Sequence, residues 1–507
     1  MKIAILADLH LPDRTDTLNE EILGWALNTA ATEQVQLIVS AGDMIQAGAV
    51  EAAKRLRAKL EAVGLPFLAA TGNTELDTPE FQEIFTGEDF YRLEHGIVAV
   101  FDPSDVQSTQ LKKLSAMRSE SLMLVAHYPL ETLEPAICEQ VKELFRRPRG
   151  AIFVAGHEHL DREQKLGDGE AHIVRGLDPD KAIGAPPALH IFEYKPAFEN
   201  WQRRDIAFSS GDSIFNTREE RDEFAALLGI STMHNTLKGI DYATLRRIKC
   251  LEMRFEAIRE LSLPQLSTAI QCWRKCGGEV LSLHFPDISW DSVNNTLAQN
   301  EVPTAFKLAA ALKIDHLTVH IPRCSVALLA VPHVKAQFLD VFVRLANHAQ
   351  ACNISVGIEN LHMRQGEKPD EHRGFGYTPD ECIAWIRELR TLCRNSEIGL
   401  HFDIGHARNN APYSSIFTIG QWYAAAGNLI NGYHLHQVTA ATDGTLKNHQ
   451  PIKSVFGPLI SYFSFFHAWR NGRITHAPIF IETDYGTEQS YETLCSCFQK
   501  SEMRYDK

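Results

Sequence analysis

The sequence predicts two α/β domains in tandem, the second of them a (β/α) barrel. The first observation is length: 507 residues are too many for one small module and, at about 150 residues per domain, allow two to four. The second is composition, 44% hydrophobic and 22% charged, which sets aside disordered, collagen-like and mucin-like classes. The third is a change of rhythm along the chain, from scattered strand signals to a regular alternation of strand and helix.

From 1 to about 195, short β-branched or apolar runs at Ile3–Ala7, Val35–Ser40, Pro66–Ala70, Leu122–Ala126 and Ile152–Ala155 each end at a polar or Gly-containing turn. Residues 196–244 read as a linker, with Pro196, Ser209-Ser210-Gly211 and the charged run Thr217–Glu223 leading into a short helix. From 245 to 507, strands are expected at Cys250–Phe255, Glu279–Phe285, His316–Ile321, Ile354–Asn360, Ile398–Ile404, Ile430–Gln437 and Pro478–Thr483. Amphipathic helices such as Pro264–Cys276, Val334–Ala351 and Pro379–Cys393 separate them. Seven repeats point to a barrel, with its eighth strand expected between 438 and 460. An open doubly wound sheet is the alternative.

No apolar run approaches the roughly 20 residues of a membrane span, so no membrane partner is expected. The opening Met1–Asp8 is a strand pattern without a signal-peptide core, and the ten cysteines are scattered without paired CxxC spacing. A cytoplasmic protein with mostly buried thiols is therefore expected. The net charge of −14 argues at first against nucleic acid. It is concentrated in residues 1–200, which hold 19 Lys and Arg against 32 Asp and Glu, so the near-neutral second domain is not excluded as a nucleic-acid binder.

Five polar clusters follow the first strands in order: Asp8-Leu9-His10, Gly42-Asp43, Gly72-Asn73, His127 and Gly156-His157-Glu158-His159. Oxygen and imidazole ligands on strand-end loops can converge on one point, and a carboxylate such as Asp43 can bridge two ions. This order resembles the calcineurin-like metallophosphoesterase family, an α/β sandwich. The resemblance implies that Asp8, His10 and His159 hold one ion, that Asn73, His127 and His157 hold the other, and that Asp43 bridges them, with Asp43 and His127 central to catalysis. It implies Mn or Fe, with Zn also seen, and in-line attack of water on phosphorus. Thr74 stands where the family often has a leaving-group His, and Gln46 where many members have a second Asp. Ala7–Leu11 is similar to the SbcD-type nuclease branch, whose members work with an ATPase, so an ATPase partner protein is one expectation.

In the second half, acids and histidines sit near strand ends: His284, His320, Glu359, Asp403 with His406, His434, His449 and Glu482. Charged groups there are costly to desolvate without a partner, which a divalent ion provides. Residues 245 to 500 resemble the xylose-isomerase-like TIM barrels, which include endonuclease IV (AP endonuclease family 2) and the sugar phosphate isomerases and epimerases. The resemblance implies that Glu359, Asp403, His434 and Glu482 form a metal quartet for Zn or Mn, that His284 and His320 join Glu359 in holding a second ion, and that His406 and His449 belong to a third. Lys447 replaces an Asp of that third site, so one or two metals are expected. Glu359 and Glu482 are the acid/base pair if the barrel is an isomerase.

His401, His436, His362 and His372 have no matched role; His401 is expected to pack against the barrel. Arg364, Lys368 and Arg373 form a basic loop that either contacts phosphate or is solvated. Three readings stay open. The first is a bifunctional phosphoester hydrolase, a phosphodiesterase or nuclease acting on nucleic acid or nucleotides. The second is a sugar phosphate isomerase or epimerase coupled to a small-molecule phosphatase. The third is a regulatory protein with one degenerate site. The substrate partner is accordingly a nucleic acid, a nucleotide or a sugar phosphate.

Overall fold

A computed structural model gives the structure of the protein and describes residues 1–499 other than 86, 88, 103–108, 118–119, 147–149, 167–168, 209–214 and 216. Ser209-Ser210-Gly211 of the expected linker lies outside the described residues, as does the side chain of Cys497. The chain divides into two compact units, Met1–Gly211 and Asp212–Lys507. No helix of the described residues is long and apolar enough to cross a membrane.

The strands of the first unit are, in order, β1 (Lys2–Leu6), β2 (Leu37–Ser40), β3 (Phe67–Ala69), β4 (Phe90–Leu93), β5 (Gly96–Val100), β6 (Ser121–Ala126), β7 (Ala151–Ala155), β8 (Arg162–Leu166), β9 (Gly169–Ile173), β10 (Ala188–Lys195) and β11 (Asn200–Ala207). They form one sheet in the order β11-β10-β1-β2-β3 and a second in the order β4-β5-β6-β7-β9-β8. β1, β2, β6 and β7 are apolar on both faces because both faces are covered. Ile5 and Val39 of the first sheet share a core with Val125 and Val154 of the second. The opposite face of the second sheet, with Leu124 and Phe153, packs on Ile137 and Val141 of the helix Pro135–Leu144. This is an α/β sandwich. The carboxyl ends of β1, β2, β3, β6 and β7 lead directly into Asp8, Asp43, Asn73, His127 and His157.

In the second unit the strands are β12 (Leu228–Thr232), β13 (Cys250–Arg254), β14 (Val280–His284), β15 (Ser289–Asp291), β16 (Thr296–Ala298), β17 (His316–His320), β18 (Ser355–Glu359), β19 (Ile398–Asp403), β20 (Ile430–Leu435), β21 (Gln437–Ala440), β22 (Leu446–Gln450) and β23 (Ile479–Ile481). Eight of them close a barrel in the order β12-β13-β14-β17-β18-β19-β20-β23. β15–β16 and β21–β22 are separate two-stranded hairpins. The registers set site residues side by side: Arg254 opposite His284, His320 opposite Glu359, and Asp403 opposite His434. The three expected helices are present as Leu263–Lys275, Pro332–Ala351 and Pro379–Cys393.

The sequence reading needs two corrections. Much of the segment 196–244 belongs to the folded units, because β11 pairs along its length with β10 and β12 pairs with β13 and β23, while the division between the units falls within it, at Gly211 and Asp212. β11 is an edge strand whose apolar Trp201 and Ile206 are interrupted by Gln202, Arg203, Arg204 and Asp205, which hides its strand character. The eighth barrel strand is β12, not a segment between 438 and 460, which forms the β21–β22 hairpin instead. β12 is short, and Gly229 lets the backbone of Cys250 approach where a Cβ would collide with the Cys250 carbonyl.

Candidate metal centres

In the first unit the loop backbone is bent to aim the side chains. Asp8, His10, Asp43, His157 and His159 all have positive φ, between 46° and 72°, a region that L-residues occupy sparsely. Such strain persists where the surroundings over-determine it, and it clusters at functional sites. Asp8 N–H and His10 N–H donate to the carbonyls of Gly42 and Asp43, tying the first two ligand loops together.

The donor and acceptor pattern then identifies what the side chains face. His127 Nδ1 lies 3.0 Å from the Ala41 carbonyl and donates to it, so Nε2 carries the lone pair. That Nε2 is 3.2 Å from Asn73 Oδ1, 3.1 Å from His157 Nδ1 and 3.5 Å from Asp43 Oδ2. The same end of the Asn73 amide lies 3.2 Å from Asp43 Oδ2, and with the amide turned over its NH2 donates to both His127 Nε2 and Asp43 Oδ2. Oxygen and imidazole donors gathered this closely around one point are of the kinds that hold a divalent cation. Asp8, His10 and His159 form an adjoining triad whose ligand atoms lie within 4.8 Å of one another. Burial and the Asp43 carboxylate push Asp8 well above the usual carboxylate range, a cost that a metal ion would relieve. The seven residues expected to ligate are thus brought together and fit a pair of divalent ions.

Two further residues shape this site. Thr74 donates its hydroxyl and its N–H to Asp43 Oδ1, both at 3.0 Å, so it orients Asp43. Gln46 is buried, its N–H bonded to the Leu11 carbonyl. Glu75, which the sequence reading passed over, is fully buried and accepts N–H bonds from Gly72 and Asp43 at 2.8 Å and Met44 at 2.7 Å. It pins the Asp43 and Asn73 loops to each other. Burial and Asp43 push its carboxyl up to about 7 against the pull of those N–H donors. Glu75 sits two residues after Asn73 in the same one-turn helix, Asn73–Leu76.

In the barrel, Glu252, Glu359, Asp403 and Glu482 are all fully buried. His434 Nδ1 is 3.2 Å from Glu359 Oε1, 3.4 Å from Glu482 Oε2 and 3.8 Å from Asp403 Oδ2. His434 Nε2 donates to Glu252 Oε1 at 2.7 Å, which leaves Nδ1 toward the three carboxylates. Arg254 supplies one positive charge through its bond to Glu482. Burial of each ion costs several kcal/mol without compensation, and four carboxylates outnumber the one guanidinium and the His434 imidazole they surround, a deficit that a divalent cation fits.

A second point of convergence adjoins this one. His284 Nδ1 donates to the Phe285 carbonyl at 3.3 Å and His320 Nδ1 to Asp287 Oδ1 at 2.5 Å. Their Nε2 atoms lie 3.2 and 3.3 Å from Glu359 Oε2, so Glu359 offers one oxygen to each cluster. Burial would raise Glu359, but His320, His434 and His284 together hold it well below the usual range.

At the expected third site His406 and His449 gather with Asp403 and His436, ligand atoms within 4.8 Å of one another. His406 Nδ1 donates to the Asn360 carbonyl at 3.0 Å, and burial lowers its imidazole to about 3. His449 Nε2 lies 3.4 Å from Glu482 Oε2, drawn to the quartet. Lys447 is exposed on the β21–β22 hairpin. His436, given no role from sequence, accepts the His449 N–H at Nδ1 (2.9 Å) and donates from Nε2 to Asp403 Oδ1 (3.1 Å). It is a tie between two ligand loops. His401 lies inside the barrel, 3.1 Å from the Thr318 hydroxyl, and His362 packs against the His406 ring. Of the basic loop, Arg373 pairs with Glu381 while Arg364 is exposed at the barrel mouth. Glu252 and Arg254 were missed as site residues, although charged side chains two apart in an otherwise apolar strand are a readable sign of a polar barrel interior.

Two family models match this chain, one in each half. Residues 1–175 match the model of the calcineurin-like phosphoesterase superfamily domain, and residues 274–500 match that of the xylose isomerase-like TIM barrel. No curated protein sequence matches significantly. Among solved structures, a dimetal phosphatase from Danio rerio is similar at 15% identity, covering 41% of this chain and 99% of its own, with a TM-score of 0.31. A D-allulose 3-epimerase from Methylomonas sp. is similar at 15% identity over 53% of this chain and 90% of its own, TM-score 0.37. A 3-keto-D-glucoside 4-epimerase from E. coli is similar at 11% identity over 54% and 99%, also with a TM-score of 0.37.

Proposed function

From a chain that joins a calcineurin-like phosphoesterase domain to a xylose isomerase-like TIM barrel, both of enzyme superfamilies, we propose a bifunctional metal-dependent enzyme. The first domain hydrolyses phosphoesters and the barrel isomerises or epimerises a small sugar-like substrate. One observation carries the barrel assignment: Glu359 and Glu482 approach His434 Nδ1 from two strands, at 3.2 and 3.4 Å, across one cation site. Divalent ions, when bound, polarise a substrate carbonyl in the barrel and neutralise phosphoryl oxygens in the first domain.

The residues around each site do the rest. In the barrel, Glu359 and Glu482 stand where one can take a proton from carbon and the other return it. Arg254, bonded to Glu482, keeps that carboxylate ionised and oriented. The cavity beside these residues has a volume of about 390 Å³, the scale of a small-molecule pocket. In the first domain, Asp43 is oriented by Thr74, and His127 by the Ala41 carbonyl. Thr74 is committed to Asp43 and is no proton donor to a leaving group, which favours substrates with good leaving groups or protonation by water. Mn or Fe suits the mixed oxygen and imidazole donors there, and Zn or Mn those of the barrel.

The second cation cluster at His284, His320 and Glu359 favours another reading of the barrel, phosphodiester cleavage at a multinuclear site. The test uses manganese- or zinc-loaded full chain. Carbon-bound hydrogen of ketopentoses and ketohexoses should exchange with deuterated solvent, and Glu359→Gln or Glu482→Gln should abolish the exchange. Incision of an abasic-site duplex without any exchange would replace the isomerase reading by the nuclease one. For the first domain, p-nitrophenyl phosphate and bis-p-nitrophenyl phosphate should be hydrolysed, with loss in Asp43→Ala and His127→Ala; no hydrolysis of either would overturn that assignment.

A further inference from the structure

We propose that the mouth of the barrel holds an oxyanion of the substrate, a phosphate ester or a carboxylate, between Arg323 and Arg364. This rests on the reading of the barrel as a proton-transfer enzyme and specifies its substrate class. The cavity of about 390 Å³ is bounded on the metal side by His320, His406 and His449. Three arginines also line it, Arg254, Arg323 and Arg364.

Their surroundings divide them. Arg254 is bonded to Glu482 and belongs to the metal side. Arg323 is paired with Asp287, the same carboxylate that accepts from His320 Nδ1. One acid therefore fixes a guanidinium and a metal-facing imidazole in relation to each other, which pre-organises Arg323 at little entropic cost. Arg364 is exposed at the outer rim.

Glu367 is the acid among the lining residues, and its Oε2 is already taken by the Arg364 N–H at 2.8 Å and the Tyr377 hydroxyl at 2.7 Å. Of the three arginines, Arg254 and Arg323 are each paired with an acid behind the lining, Glu482 and Asp287, and Arg364 stands at the rim. Leu361, Phe375 and Tyr377 give the apolar wall on which a carbon skeleton can rest. Planar guanidinium forks match phosphate and carboxylate oxygens, and such charge-assisted bonds are about twice as strong as neutral ones. Arg373, on the same stretch, is not among the residues that line the cavity; it pairs with Glu381. A molecule that spans this cavity thus presents its reacting carbon to the metal side and its anionic end to Arg323 and Arg364.

The experiment is calorimetric titration of the manganese-loaded full chain carrying Asp43→Asn, which silences the first site. Two probe pairs are compared, D-ribulose with D-ribulose 5-phosphate and D-glucose with D-glucuronate. The expected result is binding about tenfold or more tighter for the anionic member of one pair, and which pair shows it tells phosphate from carboxylate. Arg364→Ala and Arg323→Lys should each erase that advantage while changing the neutral sugar's affinity less than about threefold. Equal affinity within both pairs, or an advantage that survives both substitutions, overturns the proposal. Deuterium exchange on neutral D-ribulose without an anionic advantage overturns the oxyanion site and leaves the proton-transfer reading standing. An anionic advantage without exchange on any probe does the reverse.

Discussion

Glu252 accepts the Nε2 proton of His434 at 2.7 Å, and this bond decides which nitrogen of His434 faces the three carboxylates of the quartet. Glu252 is itself held by the hydroxyls of Thr318 at 2.6 Å and Ser282 at 2.9 Å. A carboxylate behind a ligating imidazole fixes its tautomer and raises its basicity, and loss of such a partner typically costs 10- to 100-fold in metal affinity. Glu252→Gln, which keeps the shape and removes the charge, is expected to weaken manganese binding in the barrel by about that factor and to leave the first domain's site unchanged. Competition with a chromogenic chelator measures both; an unchanged barrel affinity would dismiss the role.

Metal uptake by the barrel should expel protons. Burial lowers the His434 imidazole, but Glu482, Glu252 and Glu359 outweigh it and raise the group well above its ordinary value. In the metal-free protein His434 therefore holds its proton to higher pH than an ordinary histidine, and a metal at Nδ1 must displace that proton. Affinity is expected to fall as pH falls, with about one proton released per ion bound at the quartet. The sign for stability is opposite without metal. A raised imidazole contributes stability that is full below its unfolded value, ~6.5, and is lost as pH rises through the folded value. Calorimetry in buffers of different ionisation enthalpy counts the protons, and melting of chelated protein across pH checks the second sign. Binding without proton release would show that His434 is neutral beforehand.

The barrel was legible because each of its seven expected strands is an apolar run with a charged or polar residue at its end, as in Gly357-Ile358-Glu359 and Phe402-Asp403. β12 was not, because five residues with a glycine carry too little pattern to distinguish a strand from a helix terminus. The ligands were legible because strand-end acids and histidines recur in order. The residues that orient them were not: Glu75, Glu252 and His436 act through bonds to partners 30 or more residues away or across a loop, and no local spacing encodes such pairings.

Glu75 gives the first domain its own test. Its two carboxylate oxygens accept N–H groups from both the Asp43 and Asn73 loops. In Glu75→Gln the amide nitrogen must face at least one of those donors, leaving a buried N–H without an acceptor at a cost of about 1–3 kcal/mol. A lower melting temperature of the first domain and weaker metal binding there are expected, with phosphoesterase activity recovered in part at high manganese. Loss of activity without any change in metal affinity would argue against this assignment.

His436 permits a sharper separation of packing from positioning. Its ring lies where a Cβ on Gly405 would fall, so Gly405→Ala must displace the ring. Displacement takes the Nε2–H donor from Asp403 and the Nδ1 acceptor from the His449 N–H together. Overpacking alone costs about 1–3 kcal/mol, and it would be relieved by removing the ring. The double variant Gly405→Ala with His436→Ala is therefore expected to regain much of the lost stability, because the methyl group then occupies vacated space. Its barrel metal affinity should stay low, because Asp403 and His449 remain untied. If affinity returned along with stability, His436 would be a spacer, and the bond from its Nε2 to Asp403 would have no part in holding the metal.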